Sequence, residues 1–122
     1  MAKRLDVVIV DDEAQITELL KTFIQCSSKN INVHTFNDAE EARSYLIENS
    51  VDILITDYKM PKYNGIELME TTNPATKKVL ISGYVSEIAE ERLQQLDAVF
   101  FEKPVPMKAL GKIISDQQEK QS

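Results

Sequence analysis

Short apolar segments alternate with segments of helical periodicity along this chain. Five segments have the length and β-branched content of buried strands, and they cover residues 5–10, 31–36, 51–56, 79–81 and 98–101. Between them, apolar residues recur every three or four positions, which is typical of one face of a helix. In the first helical segment the apolar face contains Ile16, Leu19, Leu20, Phe23 and Ile24.

Polar residues and proline predict where several helices begin and end. Asn37, with Glu40 three residues later, is expected to cap the second helix in a capping box. Pro106 suits the first turn of the last helix, and the polar residues 116–122 are expected to fray. The fourth helix is predicted to turn its apolar side inward through Val85, Ile88, Ala89, Leu93 and Leu96.

This alternation predicts an α/β fold of the (βα)₅ type. Strands that are apolar throughout indicate a parallel sheet covered by helices on both faces. Because parallel crossovers are right-handed, few topologies remain, and we predict a doubly wound, flavodoxin-like sheet with strand order 2-1-3-4-5. The 122 residues fit one domain spanning 1–122.

Composition and net charge limit the kinds of molecule that the chain is expected to bind. The formal net charge of −6 argues against direct binding to nucleic acid, which needs Lys and Arg to displace counterions, and against an anionic membrane surface. No apolar run approaches the length of a signal peptide core or a membrane span. Cys26 is the only cysteine, so an internal disulfide is excluded and a cytoplasmic location is expected. Its place late in a helix predicts a small apolar core filler.

Ionisable and hydroxyl side chains follow four of the five predicted strands. Asp11 and Asp12 come after the first strand, Asp57 after the third, Ser82 after the fourth and Lys103 after the fifth. In a doubly wound sheet, the functional crevice lies at the carboxyl ends of the strands, near the point where the strand order reverses. We therefore expect these side chains to converge there.

Carboxylates crowded at one edge repel each other and favour a bound cation. An all-oxygen site of this size suits Mg²⁺, for which Mn²⁺ can substitute. A carboxylate can accept a phosphoryl group as an aspartyl phosphate, and a divalent cation neutralises the incoming oxygens. Lys103 and Ser82 could each contact a phosphoryl oxygen, the first as a point charge and the second as a hydroxyl donor.

Four short motifs at this edge resemble those of the response-regulator receiver family, in the family order and across nearly the whole chain. They are Val-Asp-Asp-Glu at 10–13, Asp-Tyr-Lys-Met-Pro at 57–61 with Asn64-Gly65, Ile-Ser-Gly at 81–83, and Phe-Glu-Lys-Pro at 101–104. Each motif alone is weak, whereas their combination is highly specific. The resemblance implies phosphoryl transfer from a histidine kinase or a phosphotransfer protein.

The resemblance also implies a role for each matching residue. Asp57 is implied as phosphoacceptor and metal ligand, Asp12 as a direct metal ligand, and Asp11 as a residue that acts on the metal through water. Lys59 is implied to offer its backbone carbonyl to the metal. Ser82 and Lys103 are implied to hold the phosphoryl group, and the Lys103–Pro104 bond is expected to be cis.

The resemblance also implies that phosphorylation alters a surface that binds other proteins. Phe100, three residues before Lys103, matches the family's aromatic switch position. The face from about Val85 to Ile114 is expected to bind an output domain, a target protein or a second copy of the chain. The sequence is compatible both with a complete diffusible regulator and with the receiver of a longer chain.

Other interpretations compete with this one. Taken singly, Asp11-Asp12 suits a helix N-terminus, Asp57 a turn, Lys103 a surface charge and Phe100 the core. A haloacid-dehalogenase-type phosphatase would need a second Asp at position 59, which is Lys59. A flavin site would need a phosphate cradle instead of acids after the first strand. The remaining alternative is a receiver-like interaction module that acts without phosphorylation. For the receiver and for the interaction module alike, we expect no enzymatic activity beyond the chain's own phosphorylation and dephosphorylation.

Overall fold

The computed structural model describes residues 4–83 and 90–121. Strands and helices alternate along the described residues, as the periodicity predicts. They are β1 (Leu5–Val10), α1 (Ala14–Ser27), β2 (Ile31–Phe36), α2 (Ala39–Glu48), β3 (Ile53–Asp57), α3 (Gly65–Met69), β4 (Lys77–Ser82), α4 (Glu90–Gln95), β5 (Ala98–Glu102) and α5 (Met107–Gln121).

The five strands form one parallel sheet in the order β2-β1-β3-β4-β5, which confirms the predicted topology. The strand order reverses between β1 and β3, because the chain adds β2 on one side of β1 and then crosses to the other side. Val7 marks this position, since it lies opposite Val33 of β2 and Ile53 of β3. The reversal places the ends of β1 and β3 side by side.

Alternate residues of the strands supply two separate cores, one on each face of the sheet. In β1, Val7 and Ile9 pack with α1 and α5, whereas Val8 and Val10 pack with α2, α3 and α4. β1, β3 and β4 are buried almost throughout, while the edge strands β2 and β5 are half-buried. For β1, β3 and β4 this confirms strands covered on both faces, whereas β2 and β5 are less buried than the sequence predicts. Among the described residues, no helix is both long and apolar enough to cross a membrane.

Two predicted core residues lie on the surface. Leu19 is 54% exposed, and Cys26 is exposed as well. The buried face of α1 is centred on Thr17, Leu20 and Ile24, and Leu19 is turned away from Leu20 by about 100° around the helix axis. The apolar face read from the sequence is therefore wider than the face that contacts the sheet.

Two predicted helix ends are also wrong. The N-cap of α2 is Asp38, whose side chain accepts from the Glu40 N–H at 2.8 Å, while the Asn37 side chain makes other contacts. The predicted tail continues α5 as far as Gln121, and the Gln118 side chain donates to the Lys29 carbonyl. The expectations for Val85, Ile88 and Ala89 in the fourth helix lie outside the described residues.

Candidate functional site

Three carboxylates converge where β1 and β3 end. Asp11, Asp12 and Asp57 each offer a carboxylate oxygen, and these atoms all lie within 4.8 Å of one another. Asp11 and Asp57 are only 3% and 8% exposed, whereas Asp12 is exposed. The predicted convergence of these acids at one edge of the sheet is confirmed.

Asp57 is held in place by the backbone that follows it. It is the last residue of β3, and its Oδ1 accepts from the N–H of Tyr58 at 2.8 Å. The Tyr58 carbonyl in turn accepts from the Gly65 N–H at 2.8 Å, which brings the start of α3 back over the end of β3. A Cβ at Gly65 would lie 2.3 Å from the Asp57 carbonyl oxygen. Gly65 is required here for space, because the two backbones approach so closely.

Asp11 is similarly fixed from several directions. Its N–H donates to the Phe36 carbonyl at 3.1 Å, and its Oδ1 accepts from the Glu13 N–H at 2.9 Å. Its second carboxylate oxygen faces the Lys103 ammonium at 3.3 Å. Both carboxylate oxygens of this buried acid therefore have a donor.

The Lys103 ammonium bridges the two buried acids. Its Nζ lies 3.3 Å from Asp11 Oδ2 and 3.4 Å from Asp57 Oδ2, and its side chain is 25% exposed. Its backbone N–H donates to the Ser82 carbonyl at 3.0 Å, which joins the ends of β4 and β5. The peptide bond between Lys103 and Pro104 is cis, as expected.

Burial and charge shift the pKa values of this triad. Burial is the main cause that raises the pKa of Asp11 and of Asp57 above the ordinary 3.8. The Asp11 carboxylate further raises the pKa of Asp57, and Lys103 opposes both shifts. For Lys103, burial lowers the pKa, but the two carboxylates outweigh burial, so its pKa is raised and the ammonium is kept charged. One ammonium thus only partly offsets two buried acids.

A cavity of about 830 Å³ opens above these acids. It is lined by Asp12, Glu13, Asp57, Lys59, Met60, Pro61, Gly83 and Lys103. Ser82 ends β4 beside it and is fully buried, so Gly83 forms this part of the wall. Phe100 is half-buried and packs on the α2–α4 side of the sheet. Of the predicted residues, Asp12, Asp57, Lys59 and Lys103 line the cavity.

Sequence reasoning missed the residues that shape the loops around the acids. Asn37, predicted as a helix cap, instead donates to the Asp11 carbonyl at 2.9 Å and to Thr17 Oγ1 at 3.0 Å. Glu13 was read only as part of a motif, yet its N–H binds Asp11 and its side chain lines the cavity. The sequence did offer one signal for Asn37. It follows β2 directly, so it lies at the same edge of the sheet as the other residues of the site.

The donor set fits a hard divalent cation. All three side chains supply oxygen atoms, one of them is open to solvent, and the two buried acids share a single ammonium. Such a set suits Mg²⁺, which uses a few carboxylates and keeps several waters. The same edge places the buried Asp57 carboxylate next to the Lys103 ammonium, and carboxylates are among the side chains that can accept a phosphoryl group.

Curated relatives match this chain over a part of their own length. Transcriptional regulatory protein CpxR of Escherichia coli (strain K12) is 31% identical over 84 residues, covering 67% of this chain and 35% of the relative. Protein-glutamate methylesterase/protein-glutamine glutaminase of Bdellovibrio bacteriovorus is 33% identical over 101 residues, covering 80% of this chain and 28% of the relative. The chain spans about a third of the length of these curated relatives.

Solved structures superpose over almost the entire chain. The REC domain of AraT, a response regulator from Geobacillus stearothermophilus, gives a TM-score of 0.78 at 28% identity, covering 96% of this chain and 95% of its own. The response regulator domain of Thermotoga maritima CheB gives 0.73 at 25% identity, covering 98% and 96%. A receiver domain protein from Clostridium thermocellum gives 0.81 at 23% identity, covering 95% of each chain, which shows the shared fold.

One family model accounts for nearly the whole molecule. The model described as the response regulator receiver domain matches residues 7–115. This span begins in β1, ends in α5 and contains every residue of the site described above. The chain belongs to the response regulator receiver domain family.

Proposed function

We propose that this receiver takes a phosphoryl group onto Asp57 in a reaction that depends on Mg²⁺. The observation that carries the proposal is the grouping of three carboxylate oxygens within 4.8 Å of one another, with a lysine ammonium between the two buried acids. The family's role as the receiver of two-component signalling supports the same reaction. A site that acted only in protein binding would have no need to bury two acids at this cost.

Asp57 is the nucleophile because it is buried, anchored and open to the cavity. One of its oxygens accepts from the Tyr58 N–H, and the other faces Lys103. A carboxylate oxygen attacks phosphorus, an oxygen–phosphorus bond forms, and the bond from phosphorus to the donor breaks. The electron pair of that bond leaves with the imidazole of a phosphohistidine donor or with the carboxylate of a small acyl phosphate donor. Lys103 then holds a phosphoryl oxygen.

Asp12 is proposed as the direct metal ligand because it is the exposed member of the group and lines the cavity. Asp11 is proposed to act through water, since its carboxylate is already bound by Glu13 and Lys103. Asp57 and the Lys59 carbonyl complete the ligands from the protein. When bound, Mg²⁺ supplies positive charge that neutralises and orients the phosphoryl oxygens.

Phosphorylation is proposed to change the surface near β5. The Ser82 hydroxyl is drawn toward the phosphoryl group from its buried position at the end of β4. Phe100, half-buried beside Leu80 in the next strand, then moves into the space that Ser82 leaves. The proposed output face includes α4, β5 and α5 as far as Ile114, while its part from Val85 to Ala89 lies outside the described residues. A population shift of a few kcal/mol is enough for such a switch.

The partners follow from the relatives. CpxR is named a transcriptional regulatory protein, and the Bdellovibrio relative is named a methylesterase, so related receivers occur with different outputs. We propose that a histidine kinase or a phosphotransfer protein supplies the phosphoryl group. The output is an attached domain, a separate target protein or a second copy of the chain.

Intact-mass measurement after incubation with acetyl phosphate tests the proposal directly. The wild-type chain should gain one phosphoryl group with Mg²⁺ present and none with EDTA. Asp57→Asn should gain none, while Asp52→Asn, a control at the opposite end of the sheet whose side chain accepts from the Asp6 N–H, should behave as wild type. Phosphorylation of Asp57→Asn at the wild-type rate would show that another residue is the acceptor. A wild-type chain that takes up no phosphoryl group from acetyl phosphate or from a histidine kinase would favour the unphosphorylated interaction module.

A further inference from the structure

A single asparagine amide links the start of the loop that carries two of the three acids to the first turn of the helix that follows it. Asn37 lies in the turn between β2 and α2, outside the four family motifs. Its Nδ2 donates to the backbone carbonyl of Asp11 at 2.9 Å and to the hydroxyl oxygen of Thr17 at 3.0 Å. Asp11 begins the loop between β1 and α1, and Thr17 lies in the first turns of α1.

The hydrogen-bond chemistry fixes the direction of this network. The Thr17 hydroxyl donates to the Ala14 carbonyl at 3.0 Å, so its oxygen is left to accept from Asn37. The Asp11 carbonyl can only accept, so the amide group of Asn37 must present its NH₂. Although Asn37 itself is exposed, its two partners are 3% and 1% exposed.

Charge repulsion acts on the loop that Asn37 holds. Asp11 and Asp12 bring two carboxylates toward Asp57, and like charges at this separation repel. Lys103 offsets only part of this repulsion, and the remainder favours movement of the loop away from β3 when no metal ion is bound. The Asn37 bonds oppose that movement from the side of α2. Asn37 also borders the same 240 Å³ recess as Asp12, so it acts directly beside the proposed metal ligand.

We infer that Asn37 is a positioning residue for the metal site, which holds the loop from Asp11 to Ala14 in its binding geometry before any cation arrives. It contacts no reacting atom and acts through the backbone of Asp11 and through Thr17. The inference rests on the proposed Mg²⁺-dependent function for its effect on affinity. Its effect on the loop of the metal-free protein does not depend on that function.

Asn37→Ala tests the inference against a matched control, Asn49→Ala. Asn49 also donates its side-chain amide to a backbone carbonyl, that of Tyr45 at 2.9 Å, but at the far end of α2. Asn37→Ala should weaken Mg²⁺ binding at least about threefold, the loss expected for a hydrogen bond that orients a ligand. Asn49→Ala should leave Mg²⁺ affinity unchanged even if it lowers stability equally.

Amide hydrogen exchange in the metal-free protein supplies the second readout. The Glu13 N–H, which donates to Asp11 Oδ1, should exchange faster in Asn37→Ala and at the wild-type rate in Asn49→Ala. Thr17→Ser keeps the hydroxyl and should retain wild-type affinity, whereas Thr17→Val should lose affinity in a way that is not additive with Asn37→Ala. Unchanged Glu13 exchange in Asn37→Ala would overturn the inference. A wild-type protein that binds no Mg²⁺ would overturn the proposed function instead, and the exchange data would still decide whether Asn37 holds the loop.

Discussion

Replacing Gly65 by Ala should damage the site although it adds a single methyl group. The added Cβ would lie 2.3 Å from the Asp57 carbonyl oxygen and 2.6 Å from Leu80 Cδ1. None of the described glycines has a positive φ, so the requirement at position 65 is for space alone. The clash involves backbone, which cannot turn away as a flexible side chain can, so either α3 or the end of β3 must move.

The size of the effect follows from two opposing contributions. Overpacking of this kind costs about 1–3 kcal/mol, and the upper end applies because a backbone oxygen is involved. Ala favours a helix over Gly by less than about 1 kcal/mol at the first residue of α3. The net loss is therefore about 2 kcal/mol, equivalent to a fall of roughly 8 °C in Tm for a domain of this size. Displacement of Asp57 should also weaken Mg²⁺ binding.

Urea unfolding with and without Mg²⁺ measures both effects, and Gly111→Ala is the matched control. Gly111 lies in the middle of α5, where a Cβ would approach Phe23 Cζ only to 3.5 Å, an ordinary contact. The same substitution there should stabilise the protein by up to about 1 kcal/mol through helix propensity. The reasoning is refuted if Gly65→Ala is as stable as wild type and binds Mg²⁺ equally well.

Three further outcomes follow from the charges of the site. Burial raises the pKa of Asp11 and of Asp57 in the folded protein. Above pH 3.8 the folded protein therefore keeps protons on these acids that the unfolded chain has released. The free energy of unfolding should accordingly fall as pH rises from 3.8 through the raised pKa values. Asp57→Asn should accordingly be more stable than wild type in urea at pH 7, with a smaller advantage near pH 4; an equal advantage at both would contradict this. Mg²⁺ at about ten times its Kd should stabilise wild type by about 1.4 kcal/mol. Asp12→Ala should lose most of that gain at the same concentration, unless Asp12 is not a ligand. Lys103→Met should lower metal-free stability by about 1–2 kcal/mol, because two buried acids lose the ammonium that they share. The variant should still bind Mg²⁺ in a calorimetric titration but should not be phosphorylated normally. Loss of Mg²⁺ binding would assign Lys103 a different role.

The sheet and its order could be predicted because their signals are local and the handedness of crossovers is fixed. The strand limits were less accurate where a polar residue is buried. The fourth strand begins at Lys77, two residues before its predicted start, and includes Lys78, which is only 4% exposed. The Lys78 ammonium donates to the Thr76 carbonyl at 2.9 Å. Its partner is backbone, so side-chain patterns carry no sign of it.

The acids of the site could be predicted for the same reason as the sheet, because each lies at the carboxyl end of a strand or just beyond it. Contacts between loops could not, since they depend on where turns from distant parts of the chain meet. Asn37 has the composition of a helix cap, and only the structure shows that its amide reaches Asp11 and Thr17 while Asp38 caps α2. The face of α1 that binds the sheet likewise depends on packing, which is why Leu19 was misplaced.

Lys103 connects the charge of the site to the frame of the sheet. Its ammonium lies between Asp11 and Asp57, and its backbone N–H binds the carbonyl of Ser82. A phosphoryl group on Asp57 would add negative charge on the side of one of its two partners. The ammonium would then shift toward that group, and any shift of its backbone is carried to the ends of β4 and β5. In this arrangement the residue proposed to hold the phosphoryl group also links the ends of the two strands of the proposed switch.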